Sequence, residues 1–458
     1  MTNLVSIKKE KNQESIYEVQ KRSIVNIQTQ KRNFLGFGTI GCSSATGFIV
    51  DAKEGLVVTN KHVAPHYCES VMLAFSEGKN LRASQVYVDP IHDFTILKYD
   101  PSEIDQVVYQ VVLGDFFSCQ VGDAISTMGN NECESYTFKS GHIISLNRYS
   151  HKCHGLMMQT SLDISGGSSG SPVFNEKGEV VAIHSSGKDS TSFEYCINYI
   201  VDKLNELKSG KILRGGLGVD LDSHNQWHIN DYFGADLAFI KEKYPSSSDL
   251  YLTVEALIPN GPSEGILAPG DIILSVEGRT ISDNSYLFDR LVDLNTGKSV
   301  TITLMRKGKL LSVDIEVEDY AEELEARFVK WAGGTFSEVT SDMRFLYNIP
   351  STRGIFMCRG EAGTSMSGIG INSNSQADRK GVVIYEIAGH EVNSLNELTK
   401  IIPQLQGVYK IMLHCQDFLY NYPASIELVN IDEESWFAQE IFYDRSNLKW
   451  IYKSIKEK

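Results

Sequence analysis

The chain has no long hydrophobic run. In 458 residues no apolar stretch approaches the ~20 residues that a membrane-spanning helix needs. The opening segment, Met1-Thr2-Asn3-Leu4-Val5-Ser6-Ile7-Lys8-Lys9, turns charged before a secretory h-region can form. Paired cysteines are also lacking. The eight present (Cys42, Cys68, Cys119, Cys133, Cys153, Cys196, Cys358 and Cys415) are scattered with no CxxC, so free thiols in a reducing compartment are expected. The expected location is cytoplasmic, with nuclear residence or delivery into a host cytosol as alternatives. Positive charge is in deficit: 43 Lys and Arg face 58 Asp and Glu, a net −15, which argues against nucleic acid as a main partner. Metal-ligand patterns are thin. His62 and His66 stand four apart, but Pro65 disfavours a helix there and no glutamate follows His62. His151-Lys152-Cys153-His154 lacks a second ligand pair and reads as a solvated loop. No metal and no cofactor is expected.

What is present centres on Gly166-Gly167-Ser168-Ser169-Gly170-Ser171-Pro172. Acyl transfer needs a serine Oγ held proud of the backbone, with two backbone N–H groups aimed at the developing oxyanion. Small residues on both sides permit that turn. Ser169 is the candidate nucleophile, and the N–H groups of Gly167 and Ser169 are the candidate oxyanion hole. In isolation a Gly/Ser-rich surface loop reads the same way, so the companions decide. An apolar run, Leu56-Val57-Val58-Thr59, ends in Asn60-Lys61-His62, and Asp89-Pro90-Ile91-His92-Asp93 precedes the β-rich Phe94-Thr95-Ile96-Leu97. The order His62, Asp93, Ser169 is that of chymotrypsin-like rather than subtilisin-like triads.

These segments, with Ala45-Thr46-Gly47-Phe48-Ile49-Val50-Asp51, Met128-Gly129-Asn130 and Ser140-Gly141-His142-Ile143-Ile144-Ser145, resemble the HtrA/Deg family of serine proteases, nearest to its large eukaryotic-type members. One departure stands out: Gly166 and Ser168 occupy positions where bacterial members usually carry proline and asparagine. The resemblance implies an ATP-independent serine endopeptidase acting on unfolded or specific proteins, with PDZ-mediated peptide recognition and a trimer-based homo-oligomer. It also implies a regulatory role for Arg148 and an apolar specificity pocket at Ile164, five residues before Ser169. His184, on the strand after the nucleophile, is the other pocket candidate. Cleavage after small or medium aliphatic residues follows. A chaperone or peptide-binding scaffold with secondary proteolysis is the alternative reading.

The organisation follows from strand and turn signals. Residues 1–22 form a polar tail. Short strands through residues 23–210, including one expected over Val107–Leu113, suit a mainly β, chymotrypsin-like double β-barrel of two six-stranded barrels. Helical spacing at Ile200, Leu204 and Leu207 with Gly210 as stop closes this domain. Phe34 and Phe37, on a glycine-flanked loop, either pack a trimer or cover the barrel end. Residues 212–318 read as a first PDZ domain, α+β in class. Its Gly216-Leu217-Gly218-Val219 loop offers a backbone nest for a peptide's hydrophobic C-terminus, with strand addition beside Val219-Asp220-Leu221. Ser285 to Asp293 is its expected groove helix. A weak repeat places a degenerate second PDZ-like domain at 325–430, with a polar Gly/Ser insertion at Gly360–Ser375. The extension 431–458 is expected to end in a short helix.

Overall fold

A computed structural model of the chain describes residues 15–31, 41–65, 68–132, 134–149, 155–188, 190–246, 248–281, 283–321, 327–340, 343–344, 349, 353–360, 364–366, 382–418, 423–431, 437–444 and 449–455. Phe34, Phe37, His151–His154 and most of Gly360–Ser375 lie outside them. After helix α1 (Ile16–Lys21), six strands close a barrel: β1 (Ile24–Lys31), β2 (Gly41–Asp51), β3 (Leu56–Thr59), β4 (Cys68–Ala74), β5 (Asn80–Val88) and β6 (Thr95–Lys98), in the order β1-β2-β3-β6-β5-β4. Val25, Ile27, Ile49, Val57, Leu73 and Leu97 fill it, each completely buried.

The second barrel follows. Its strands are β7 (Val112–Leu113), β8 (Ala124–Asn131), β9 (Glu134–Tyr149), β10 (Leu156–Thr160), β11 (Pro172–Asn175), β12 (Glu179–Lys188) and β13 (Thr191–Cys196). Strand β11 pairs with both β8 and β12, which closes six strands, and β7 adds in parallel to β12. The double barrel read from the sequence is present. The strand expected over Val107–Leu113 shrinks to its last two residues, because upstream N–H groups go elsewhere: Tyr109 donates to the Arg22 carbonyl and Val111 to that of Ile49. Helix α2 (Ile197–Ser209) ends on Gly210, whose φ of 75° suits the left-handed cap.

The first PDZ unit comprises β14 (Gly215–Gly216), β15 (Val219–Asn225), α3 (Gln226–Asp231), α4 (Leu237–Lys243), β16 (Leu250–Leu257), β17 (Ile272–Val276), β18 (Arg279–Thr280), α5 (Ser285–Leu294), β19 (Ser299–Arg306), β20 (Lys309–Glu316) and β21 (Glu318–Asp319). Its main sheet runs β15-β16-β17-β19-β20, with β15 at the edge. The second unit has β22 (Arg327–Trp331), β23 (Gly334–Ser337), β24 (Ile355–Gly360), β25 (Val382–Ile387), β26 (His390–Glu391), α6 (Leu395–Ile401), β27 (Lys410–Asp417), β28 (Ser425–Asn430), β29 (Ala438–Asp444) and β30 (Lys449–Ser454). The short helix expected near the C-terminus is instead the β29–β30 hairpin. It is recruited because β29 finds a pairing edge on β22, with Phe328 opposite Ile441.

Charged groups join the protease region to the first PDZ unit. Arg214 is 1% exposed, with Nη1 donating to Asp293 Oδ1 (3.2 Å), Nη2 to His92 Nδ1 (3.1 Å), and Nε 3.4 Å from Asp89 Oδ1. His92 Nε2 faces Asp289 Oδ2 at 3.3 Å, so the network assigns it the Nε2–H tautomer. Lys203 of α2 pairs with Asp293 of α5 at 2.7 Å, and Arg290 of α5 pairs with Asp202 and Glu206 of α2. Burial opposes the ionised form of Asp89, but Arg214 and then His92 hold its carboxyl well below the usual range. Burial, then the Arg214 charge, push His92 below its ordinary 6.5.

A pH dependence follows. Unfolded His92 titrates near 6.5 while folded His92 resists protonation, so its contribution is full above that pH and is lost as the pH falls below it. Asp89, depressed from 3.8, adds a second loss in more acid solution. The melting temperature of the wild type should fall between about pH 7.5 and 5.5 more steeply than that of His92→Gln. Equal slopes would show that His92 is not the linked group.

Candidate active site

The site begins with strand register. Strand β3 pairs with β6 so that Thr59 stands opposite Thr95. His62 comes three residues after one end and Asp93 two before the other, so pairing alone draws both loops to the same rim. Side chains then lace them. Asn60 Nδ2 donates to the Asp93 carbonyl (3.0 Å), Lys61 Nζ to the Pro90 carbonyl (3.0 Å) and Thr95 Oγ1 to the Ala64 carbonyl (3.0 Å).

Asp93 is the best-held group. Its Oδ2 lies 2.8 Å from His62 Nδ1, its Oδ1 accepts from the His62 backbone N–H (3.0 Å), and Ser185 Oγ of β12 donates to Oδ2 (2.8 Å). Burial favours protonation, yet His62 and Ser185 outweigh it and hold the carboxyl below its ordinary range. The anion therefore orients His62, with Nδ1–H directed at Asp93. The His62 side chain is 48% exposed and Asp93's only 9%, the asymmetry expected of an accessible base on a buried anchor.

Ser169 is half-buried on the turn before β11. Its carbonyl accepts from the Thr46 N–H (2.9 Å), and the Gly170 N–H donates to the His184 carbonyl (3.0 Å). Gly170 has a φ of 84°, and a Cβ there would lie 2.1 Å from the Thr46 carbonyl oxygen and 2.5 Å from Thr59 Oγ1. Only glycine lets the turn seat against the end of β3, at the mouth of the His62 loop. Gly167 has a φ of 96°. Among the described residues neither the Gly167 nor the Ser169 N–H donates to a protein acceptor, so both remain for a ligand oxygen.

Sequence reasoning singled out the motifs but missed the residues that hold them together. Thr46 Oγ1 donates to the Gly167 carbonyl (3.0 Å) and accepts from the Asn130 N–H (2.9 Å). Asn131 Oδ1 accepts from the Ser165 N–H (2.7 Å) and from Ser168 Oγ (3.0 Å). Ser168, one of the family departures, is thus a buried strut of the loop. The signal was present, since Thr46 and Asn130 sit inside segments that carried the resemblance. Glu194 was also missed: its Oε2 lies 3.0 Å from His184 Nδ1, and its Oε1 accepts from Thr160 Oγ1 (2.9 Å). His184 is therefore a buried, paired ring. Ile164 packs half-buried on the core, with its carbonyl beside Gly187 of β12. Arg148 stands on β9, opposite Met157, rather than on a loop.

The PDZ loop residues do converge. Gly216, Leu217, Gly218 and Val219 line one pocket with Phe288 and Val292 of α5, and Ile91 and His92 of the Asp93 loop complete it. Asp222 and His224 of β15 and Glu255 of β16 bring three potential metal-ligand atoms within 4.8 Å. With Glu255 exposed, this is a solvated polar face rather than an enclosed ligand set.

Thr46→Val keeps shape but strips one donor and one acceptor from a buried junction. It should lower stability by about 2 kcal/mol, read as a shifted urea midpoint at constant slope. An unchanged midpoint would mean that the Gly167 carbonyl and Asn130 N–H find other partners.

Comparison with known proteins agrees with this layout. The chain matches a trypsin-like peptidase domain over residues 45–183, a PDZ domain over 215–317 and a PDZ-like domain over 324–407. It is 30% identical over 440 residues to the pro-apoptotic serine protease NMA111 of Vanderwaltozyma polyspora, covering 91% of this chain and 42% of that protein. With the Debaryomyces hansenii protein of the same name it shares 29% over 469 residues, 97% of this chain and 45% of that one. The chain thus spans less than half the length of the curated relatives it matches. Among solved structures, the HtrA-type protease AlgW with tripeptide aligns at a TM-score of 0.48 and 22% identity, covering 66% of this chain and 96% of that one. Peptidase and PDZ matches in this order, with serine proteases among relatives that align along nine tenths of the chain, show a trypsin-like peptidase domain followed by a PDZ domain and a PDZ-like domain.

Proposed function

We propose that the chain is an ATP-independent serine endopeptidase whose triad is His62, Asp93 and Ser169. The observation that carries this is the buried Asp93 carboxylate 2.8 Å from His62 Nδ1, on the rim where the Ser169 turn is seated. His62 Nε2 takes the Ser169 Oγ proton as the oxygen attacks a substrate carbonyl, and returns it to the leaving amine. Asp93 fixes the tautomer and stabilises the imidazolium, while the Gly167 and Ser169 N–H groups receive the oxyanion. Ile164 and the β12 backbone near His184 wall the specificity pocket, which favours small or medium aliphatic residues. Apolar walls discriminate by only about 1–3 kcal/mol per methylene, so the preference is graded.

The first PDZ unit takes hydrophobic C-termini of unfolded proteins or peptides at the Gly216–Val219 loop beside the β15 edge. Arg148 acts in regulation, and a homo-oligomer is the working form. The cytosolic or nuclear-type setting is supported by Cys119, Cys196, Cys358 and Cys415, all buried and unbridged. Burial pushes the Cys119 thiol up to about 11, as in an inert core residue.

The test is labelling by a fluorophosphonate and digestion of unfolded casein beside Ser169→Ala. That variant should lose ~10⁶ in kcat while keeping its thermal transition. Comparable turnover by the variant would sink the triad. Mapping the fragments reads the pocket: a majority of cuts after Lys, Arg or aromatic residues would overturn the aliphatic assignment.

A further inference from the structure

We infer that Arg214, which leads into the first PDZ unit, is a positioning residue for Asp93, so that triad geometry in the barrels is held in part from the PDZ side. This rests on the serine-protease reading above.

The path is short and fully buried. Asp93 stands on a turn that closes on itself: the Asp89 N–H donates to the Phe94 carbonyl, and the Phe94 N–H to that of His92. Asp89 organises the turn. Its Oδ1 accepts from the N–H groups of Ile91 (2.9 Å) and His92 (2.7 Å), and its Oδ2 from the Tyr87 hydroxyl (2.7 Å). Those are neutral donors. The cation beside this buried carboxylate is Arg214, which also grips the His92 ring, the neighbour of Asp93. Its second anchor is Asp293, on the far side of the interface. A buried anion stripped of its counter-charge protonates or moves. Either outcome weakens the two N–H contacts that shape the turn and lets Asp93 drift from His62.

The other interface pairs provide the contrast. Arg290 joins α5 to Asp202 and Glu206 of α2, and Tyr286 Oη donates to Asp202 (2.7 Å). These bonds dock the same two units further from the Asp89–Asp93 turn, for Glu206 reaches Arg214 through Lys203 (3.1 Å) and then Asp293 (2.7 Å from Lys203). Loss of docking and loss of positioning are therefore separable by mutation.

The experiment uses the full chain and a short aliphatic peptide anilide, with the rate of fluorophosphonate labelling as a second readout. Arg214→Met should lower kcat and the labelling rate by about 10- to 100-fold with KM within about twofold, because a misplaced base costs turnover rather than binding. Arg214→Lys, which reaches one partner but not three, should recover part of the loss. Arg290→Met should stay within about twofold of wild type in both constants. Unchanged kcat in Arg214→Met, or an equal loss in Arg290→Met, overturns the inference. Should Arg214→Met fail to fold, Asp89→Asn keeps Oδ1 as acceptor for the two N–H groups while removing the charge and the Oδ2 acceptor of the Tyr87 hydroxyl. It should show the same fall in kcat, and wild-type kcat there overturns the inference equally. Wild type that takes no label would fell the protease reading and this inference with it, whereas equal labelling of wild type and Arg214→Met fells this inference alone.

Discussion

A carboxylate kept charged away from water governs this structure. Asp93 is nearly inaccessible, and an isolated anion there would be costly. Three donors from two barrels offset that cost: the His62 backbone N–H and ring from the first, and Ser185 Oγ from the second. None is local in sequence, since Ser185 lies 92 residues away. The site therefore forms only when both barrels have closed and met. The Thr46 junction enforces the same condition from the other side, tying the first barrel to the carbonyls of Gly167 and Ser169.

The same electrostatic logic repeats one turn away, with more charges. Asp89 and Asp293 meet Arg214 and Lys203 at the seam between barrels and PDZ unit, and Glu206 on Lys203 and Asp289 on His92 extend the set. Such clusters add little net stability over an apolar seam, but removing one member costs about 3–5 kcal/mol. What they provide is specificity of docking. An apolar seam tolerates sliding, whereas the Arg214 fork meets Asp89, Asp293 and His92 in a single orientation. That fixes the Gly216–Val219 loop against Ile91 and His92, so the pocket they line is built from two domains.

Much of this was legible in the sequence. Ser169, His62 and Asp93 stand in motifs whose glycines and strand ends have local causes, and the register of β3 on β6 turns that adjacency into contact. Strand signals through residues 23–210 anticipated the two barrels, and the apolar spacing of Ile200 and Leu204 showed α2. What escaped was polar and distant. Ser185, Asn131, Glu194 and Arg214 carry no local pattern, because their roles arise from partners brought together only by tertiary closure. The C-terminal hairpin escaped for a related reason: its charged residues suit an exposed helix, and the pairing edge of β22 overrode that propensity.

The two PDZ units differ in the edge they leave open. In the first, β15 ends its sheet among the described residues, beside the Gly216–Val219 loop. In the second, β23 holds the corresponding place in the weak repeat, next to β24 as β15 is next to β16. Its other edge is taken. Strand β22 pairs along it from Val329–Phe336 to Trp331–Gly334, and the β29–β30 hairpin extends the sheet beyond β22. Trp331, fully buried, anchors that pairing in the core. Strand addition at β23 would require displacing a five-residue strand together with the hairpin behind it, and exposing Trp331 and Phe328 to water. The chain's own backbone thus occupies, in the second unit, the edge that corresponds to that of β15 in the first, so the second sheet is completed from within along that edge.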